Sequence, residues 1–120
     1  MISIVDDDES VREAMKGLIR SLGYTAVTFS SAQEFLGSEL MDDTACLIVD
    51  VQMPGMSGIE LQSRLISQGV HLPIIFITSF PDPKARADAL AAGALGYLSK
   101  PFCDEKLITH LDQALARRGG

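Results

Sequence analysis

The sequence predicts an α/β domain on an open, doubly wound parallel sheet. Three observations carry that reading. Five short apolar runs alternate with segments of helical period. The runs are largely apolar rather than alternating, as strands covered on both faces are. Each run is followed by a helix, the order that joins parallel strands by crossover connections. A closed eight-unit barrel takes roughly 250 residues, so 120 residues exclude it. With no linker, repeat or low-complexity stretch, residues 1–120 read as one domain.

The first run, Ile2–Val5, stops at Asp6-Asp7-Asp8. Val11, Ala14, Met15, Leu18 and Leu22 then recur at spacings of three and four, marking the buried face of a helix that Gly23 ends. Asp8 reads as the acid that starts that helix. Residues 24–29 read as the second strand. Ser31-Ala32-Gln33-Glu34 has capping-box spacing and opens a short helix through Phe35 and Leu36. The third run, 45–49, again ends on an acid, Asp50.

After a Met53-Pro54-Gly55 loop, Ser57-Gly58-Ile59-Glu60 is a second capping box, and Leu61, Leu65 and Ile66 form its helix face. The fourth run, 73–77, ends at Thr78-Ser79. Asp82-Pro83 reads as an N-cap with proline at the first helical position, and the alanine-rich helix behind it stops at Gly93. Residues 97–99 make a fifth short strand before Lys100-Pro101. Asp104 is expected to cap a last helix whose core face carries Leu107, Ile108, Leu111 and Leu115.

Composition narrows the function. An apolar share of 47% supports a core and excludes disorder. A net charge of −6, with Arg117-Arg118 the only adjacent basic pair, lacks the footprint of a nucleic-acid binder. Cys46 and Cys103 cannot form a disulfide framework or a four-ligand zinc site, so both are expected as free thiols, buried or half-buried. His71 and His110 lack partners at metal spacing and read as surface or packing residues. No signal-peptide pattern and no apolar run of roughly 18 residues is present, which makes the cytoplasm the expected compartment and a membrane role unexpected.

In an open parallel sheet, ligands bind at the carboxyl ends of the strands. Those ends carry Asp6 and Asp7, Asp50, Thr78 and Lys100. Like charges about 4 Å apart repel by roughly 4 kcal/mol at an effective dielectric near 20. Three carboxylates together therefore call for a cation, and oxygen-only ligands favour Mg²⁺. Mg²⁺ with spare coordination, an ammonium and a hydroxyl suits a phosphoryl group. Asp50, alone at the end of Leu47-Ile48-Val49, is the candidate nucleophile for an aspartyl phosphate. Each residue also has a plainer reading alone: Asp6-Asp7-Asp8 as a solvated turn, Asp50 as a turn former, Thr78 and Ser79 as a strand-end cap, Lys100 as a surface lysine.

Four segments carry a family likeness. Val5-Asp6-Asp7, Asp50 through Met53-Pro54-Gly55 to Gly58, Ile77-Thr78-Ser79, and Gly96-Tyr97-Leu98-Ser99-Lys100-Pro101-Phe102 occur in order, each at a strand end. Together the chain resembles the receiver domain of bacterial two-component response regulators over nearly its whole length. The stretch Val5-Asp6-Asp7-Asp8-Glu9-Ser10-Val11-Arg12 and Ser31–36 resemble the FixJ type, whose receivers usually precede a helix-turn-helix output domain. No such output domain is expected within these 120 residues.

The resemblance implies a flavodoxin-like (βα)5 sandwich with strand order 2-1-3-4-5. It implies Asp50 as phosphoacceptor, with Mg²⁺ held by Asp7 directly, Asp6 mostly through water, Asp50, and the backbone carbonyl of Gln52. It leaves the Gln52 side chain free to vary. Thr78, with Ser79 beside it, and Lys100 are expected to contact the phosphoryl group, Tyr97 to swing inward as Thr78 moves, and Lys100-Pro101 to be cis. A sensor histidine kinase is the implied donor, and a surface of the fourth helix, fifth strand and fifth helix the implied readout, with homodimerisation there on phosphorylation. The departure is Phe80, a bulky residue two positions after Thr78, expected to shield the acyl phosphate.

Three other readings stand beside this one. A Mg²⁺-dependent phosphohydrolase of small substrates also uses an Asp after a parallel strand. Its common type needs a second acid two residues later, where this chain has Gln52. A flavin site needs open amides and Gly, Ser or Thr in the first turn, which holds acids instead. A receiver-like scaffold that is never phosphorylated is the third possibility.

Overall fold

The computed structural model describes residues 1–100 and 103–119. Five strands, β1 (Ile2–Val5), β2 (Ala26–Phe29), β3 (Cys46–Asp50), β4 (Ile74–Thr78) and β5 (Gly96–Ser99), alternate with α1 (Glu9–Ser21), α2 (Ala32–Leu36), α3 (Gly58–Ser67), α4 (Pro83–Ala91) and α5 (Asp104–Gly119). The strands form one sheet in the order β2-β1-β3-β4-β5, every pair parallel. This is the expected doubly wound (βα)5 sandwich.

Because successive side chains of a strand point to opposite faces, each strand feeds two cores. Ile2, Ile4, Cys46, Ile48, Ile75 and Ile77 pack with Met15 and Ile19 of α1 and Leu107, Leu111 and Ala114 of α5. Val5, Leu47, Val49 and Phe76 pack with Phe35 of α2, Leu61 and Leu65 of α3, and Ala89 of α4. Helices thus cover both faces, and β3 and β4 are buried at every residue.

Local chemistry sets the boundaries. Asp8 caps α1, its carboxylate accepting from the Ser10 amide at 2.9 Å. Ser31, Ser57 and Asp82 cap α2, α3 and α4 in the same way. The second strand starts at Ala26, not at residue 24: Gly23 turns with φ +92°, and the Tyr24 amide still donates to Ile19 O at the end of α1.

Other boundaries also shift. Proline cannot donate to a ladder, so Pro73 only accepts, from the Leu47 amide, and β4 runs one residue on to Thr78. A 3₁₀ turn at Glu39–Asp43 was not expected. The buried Ser3–Thr44 hydroxyl pair, 2.7 Å apart, ties its end to β1. Asp104 is the first residue of α5 rather than its cap. On α5, Ala114 fills the core where Ile108 was expected, and Ile108 is half-buried. Cys46 is buried as expected, but Cys103 is exposed.

The order 2-1-3-4-5 puts β2 and β3 on opposite sides of β1. The crevice therefore opens beyond the carboxyl ends of β1 and β3, where Asp6 and Asp50 stand.

Candidate functional site

Parallel register delivers the acidic cluster. Val5 pairs with Val49, so Asp6 and Asp50 leave the sheet side by side. Asp6 is fully buried and Asp50 nearly so, while Asp7 is exposed. Single carboxylate oxygens of Asp6, Asp7 and Asp50 all lie within 4.8 Å of one another.

Lys100, arriving from the end of β5, places Nζ 3.1 Å from Asp6 Oδ2 and 3.1 Å from Asp50 Oδ2. The other oxygen of each acid accepts a backbone amide: Asp8 N to Asp6 Oδ1 at 2.9 Å, and Gln52 N to Asp50 Oδ1 at 3.1 Å. Arg12 Nη1 donates to the Asp6 carbonyl at 2.8 Å and fixes the start of the acidic loop.

Electrostatics follow from this crowding. Burial pushes the Asp50 carboxyl above its ordinary value; the Lys100 hydrogen bond opposes this and the Asp6 charge adds to it. For Lys100 burial acts downward, but hydrogen bonds to Asp50 and Asp6 outweigh it and the ammonium titrates above its usual range. Asp8, in solvent, is lowered by the Ser10 hydroxyl and amide. Three carboxylates against one ammonium leave two negative charges at the cluster. That balance and the all-oxygen donor set fit one hard divalent cation.

Thr78 is fully buried at the end of β4. Its hydroxyl donates to the side-chain carbonyl of Gln52 and accepts from the Phe80 amide at 3.0 Å. Gln52 Nε2 donates to the Phe80 carbonyl at 3.4 Å. The Lys100 amide donates to Thr78 O at 2.7 Å, linking the ends of β4 and β5. Gly58 opens α3 against the end of β3: a Cβ there would fall inside contact distance of the Asp50 carbonyl oxygen and 3.1 Å from its carbon. Only glycine allows α3 to start this close.

Asp6, Asp7, Asp50 and Lys100 therefore form one cluster, with Thr78 joined to it through Gln52. Ser79 is exposed and makes no side-chain hydrogen bond among the described residues. Tyr97 is half-buried outside the cluster, its ring centroid 6.4 Å from that of Phe76 and its hydroxyl accepting from Asp82 N at 3.5 Å. The expected cis Lys100-Pro101 bond lies outside the described residues. Phe80 is 72% exposed, and its contacts with the site are made by its backbone.

Two residues were missed. The Gln52 side chain, expected to be free to vary, holds Thr78, and Arg12 holds the Asp6 carbonyl. Spacing does not show what either side chain reaches, so only the fold reveals these contacts.

Residues 2–112 match the family described as response regulator receiver domain. The chain is 41% identical over 117 residues to nodulation protein W of Bradyrhizobium diazoefficiens, covering 98% of this chain and 52% of that protein. It is 35% identical over 116 residues to transcriptional regulatory protein FixJ of Azorhizobium caulinodans, covering 97% and 55%. The chain thus spans about half the length of these curated relatives. The crystal structure of a response regulator receiver protein from Pseudoalteromonas atlantica superposes with a TM-score of 0.90 at 30% identity, covering 98% of each chain. With a parallel sheet of order 2-1-3-4-5 and an acidic crevice both present, the chain belongs to the response regulator receiver domains of two-component signal transduction, and its likeness to FixJ is consistent with the FixJ type.

Proposed function

We propose that Asp50 accepts a phosphoryl group in a Mg²⁺-dependent reaction, and that this signals through rearrangement of Thr78. The observation that carries the reading is the pairing of Lys100 with both Asp6 and Asp50 inside a cluster that keeps a net negative charge. Asp6, Asp7, Asp50 and the Gln52 carbonyl would hold Mg²⁺. When bound, the ion supplies charge neutralisation to the transferring group.

An Asp50 carboxylate oxygen forms the new bond to phosphorus as the donor's phosphorus–nitrogen bond breaks. The donor is a phosphohistidine of a sensor histidine kinase. Lys100 supplies a second positive charge, and Thr78 and Ser79 offer hydroxyls to the phosphoryl oxygens. Tyr97, between Phe76 and the start of α4, moves with Thr78.

The surface of α4, β5 and α5 carries the output, as homodimerisation or control of transcription by a further part of the protein. Residues 1–120 are the receiver unit, which binds no nucleic acid itself and works in the cytoplasm; no helix among the described residues is long and apolar enough to cross a membrane. Gln52 in the position of a second catalytic acid disfavours a phosphohydrolase. Incubation with acetyl phosphate followed by intact mass tests the reading. One added phosphoryl group that requires Mg²⁺ and is lost in Asp50→Asn supports it; no addition under any divalent ion contradicts it.

A further inference from the structure

We propose that the Gln52 carboxamide is a latch that holds Thr78 in the resting arrangement and must release it before Thr78 can serve a phosphoryl group. This rests on the reading of Asp50 as phosphoacceptor. A threonine hydroxyl has one hydrogen to donate, and here that hydrogen goes to Gln52 Oε1. It cannot go to a phosphoryl oxygen at the same time.

The carboxamide is itself held at its other end. Gln52 Nε2 donates to Phe80 O at 3.4 Å, and Phe80 N donates back to Thr78 Oγ1 at 3.0 Å. The three residues close a ring of hydrogen bonds that joins the β3–α3 loop to the β4–α4 loop. The ring also touches the acceptor, because the Gln52 amide donates to Asp50 Oδ1 at 3.1 Å. One residue therefore contacts the acceptor through its backbone and the switch hydroxyl through its side chain. Chemistry at Asp50 and the position of Thr78 are coupled through it.

Side-chain length is part of the device. Asparagine is one methylene shorter and cannot span the same gap. Methionine has glutamine's reach and bulk without its amide hydrogen-bonding groups. Gln52 is exposed, so either replacement leaves the core intact.

The test is titration of the whole chain with trifluoroberyllate, a phosphoryl mimic, in excess Mg²⁺, following the Thr78 methyl and amide by NMR. Gln52→Met and Gln52→Asn should bind the mimic about fivefold more tightly than wild type, the worth of one net neutral hydrogen bond. Before any addition, their Thr78 resonances should already lie part-way to the wild-type bound position, with those of Leu107 and Leu111 unmoved. Equal or weaker binding in both variants, with Thr78 resonances at their resting positions, overturns the latch. If wild type itself fails to bind the mimic, the reading of Asp50 falls first and the latch with it.

Discussion

Lys100 Nζ lies 3.1 Å from Asp50 Oδ2, across fifty residues of chain. The contact exists because β5 and β3 flank β4 and both end at the same edge of the sheet. Lys100→Met would leave buried Asp6 and Asp50 facing each other without a cation. Breaking a buried pair costs about 3–5 kcal/mol, and partial exposure of Lys100 reduces that to about 2–4. Urea unfolding at pH 7 without divalent ions should show this loss.

The pH dependence has a definite sign. Lys100 titrates higher folded than unfolded, so its contribution is complete below pH 10.5 and fades as pH rises through its raised value. Asp50 also titrates high, so its ionisation opposes folding, and the penalty is relieved as pH falls through its raised value. In Lys100→Met the Asp50 effect should grow, moving the stability maximum toward acid.

Mg²⁺ should stabilise the wild-type chain. At tenfold excess over its dissociation constant, linkage gives about 1.4 kcal/mol. Asp7→Asn should remove most of that gain and, without Mg²⁺, melt at or slightly above wild type, because one of three mutually repelling carboxylates is gone. Thermal melts with and without the ion check both halves.

The thiols should differ sharply. Burial pushes Cys46 up to about 12, whereas Cys103 is exposed. A maleimide at pH 7 should label one thiol in the folded chain and two after denaturation. The raised Cys46 value also means that stability falls between pH 9.0 and about 12, since only the unfolded thiol ionises there. Cys46→Val should flatten that part of the profile.

Gly58→Ala should cost about 1–3 kcal/mol or more, the range for overpacking, because its Cβ meets the backbone of Asp50. Weaker Mg²⁺ stabilisation should accompany the loss, as Asp50 shifts with β3. Chemical denaturation and a Mg²⁺ titration measure the two effects.

Much of this was legible in the chain. Largely apolar runs placed all five strands, and Asp6, Asp50, Thr78 and Lys100 at the ends of four of them located the crevice. Pattern could not give what depends on contact. Gln52 follows Asp50 by two residues, and nothing in that spacing says its side chain reaches Thr78, twenty-six residues away. Arg12 looks like any helix-surface arginine until the fold turns it onto the Asp6 carbonyl. Cys103 and Ile66 are more exposed than the pattern predicts, because apolar character alone does not reveal which residues find a partner.

The most direct test is chemical mapping of the acceptor. The chain would be treated with acetyl phosphate and Mg²⁺, then reduced with borohydride, which converts an aspartyl phosphate to homoserine. Peptide sequencing should place homoserine at position 50 alone, and only where Mg²⁺ was present. Homoserine at Asp6, at Asp7 or nowhere would contradict the account.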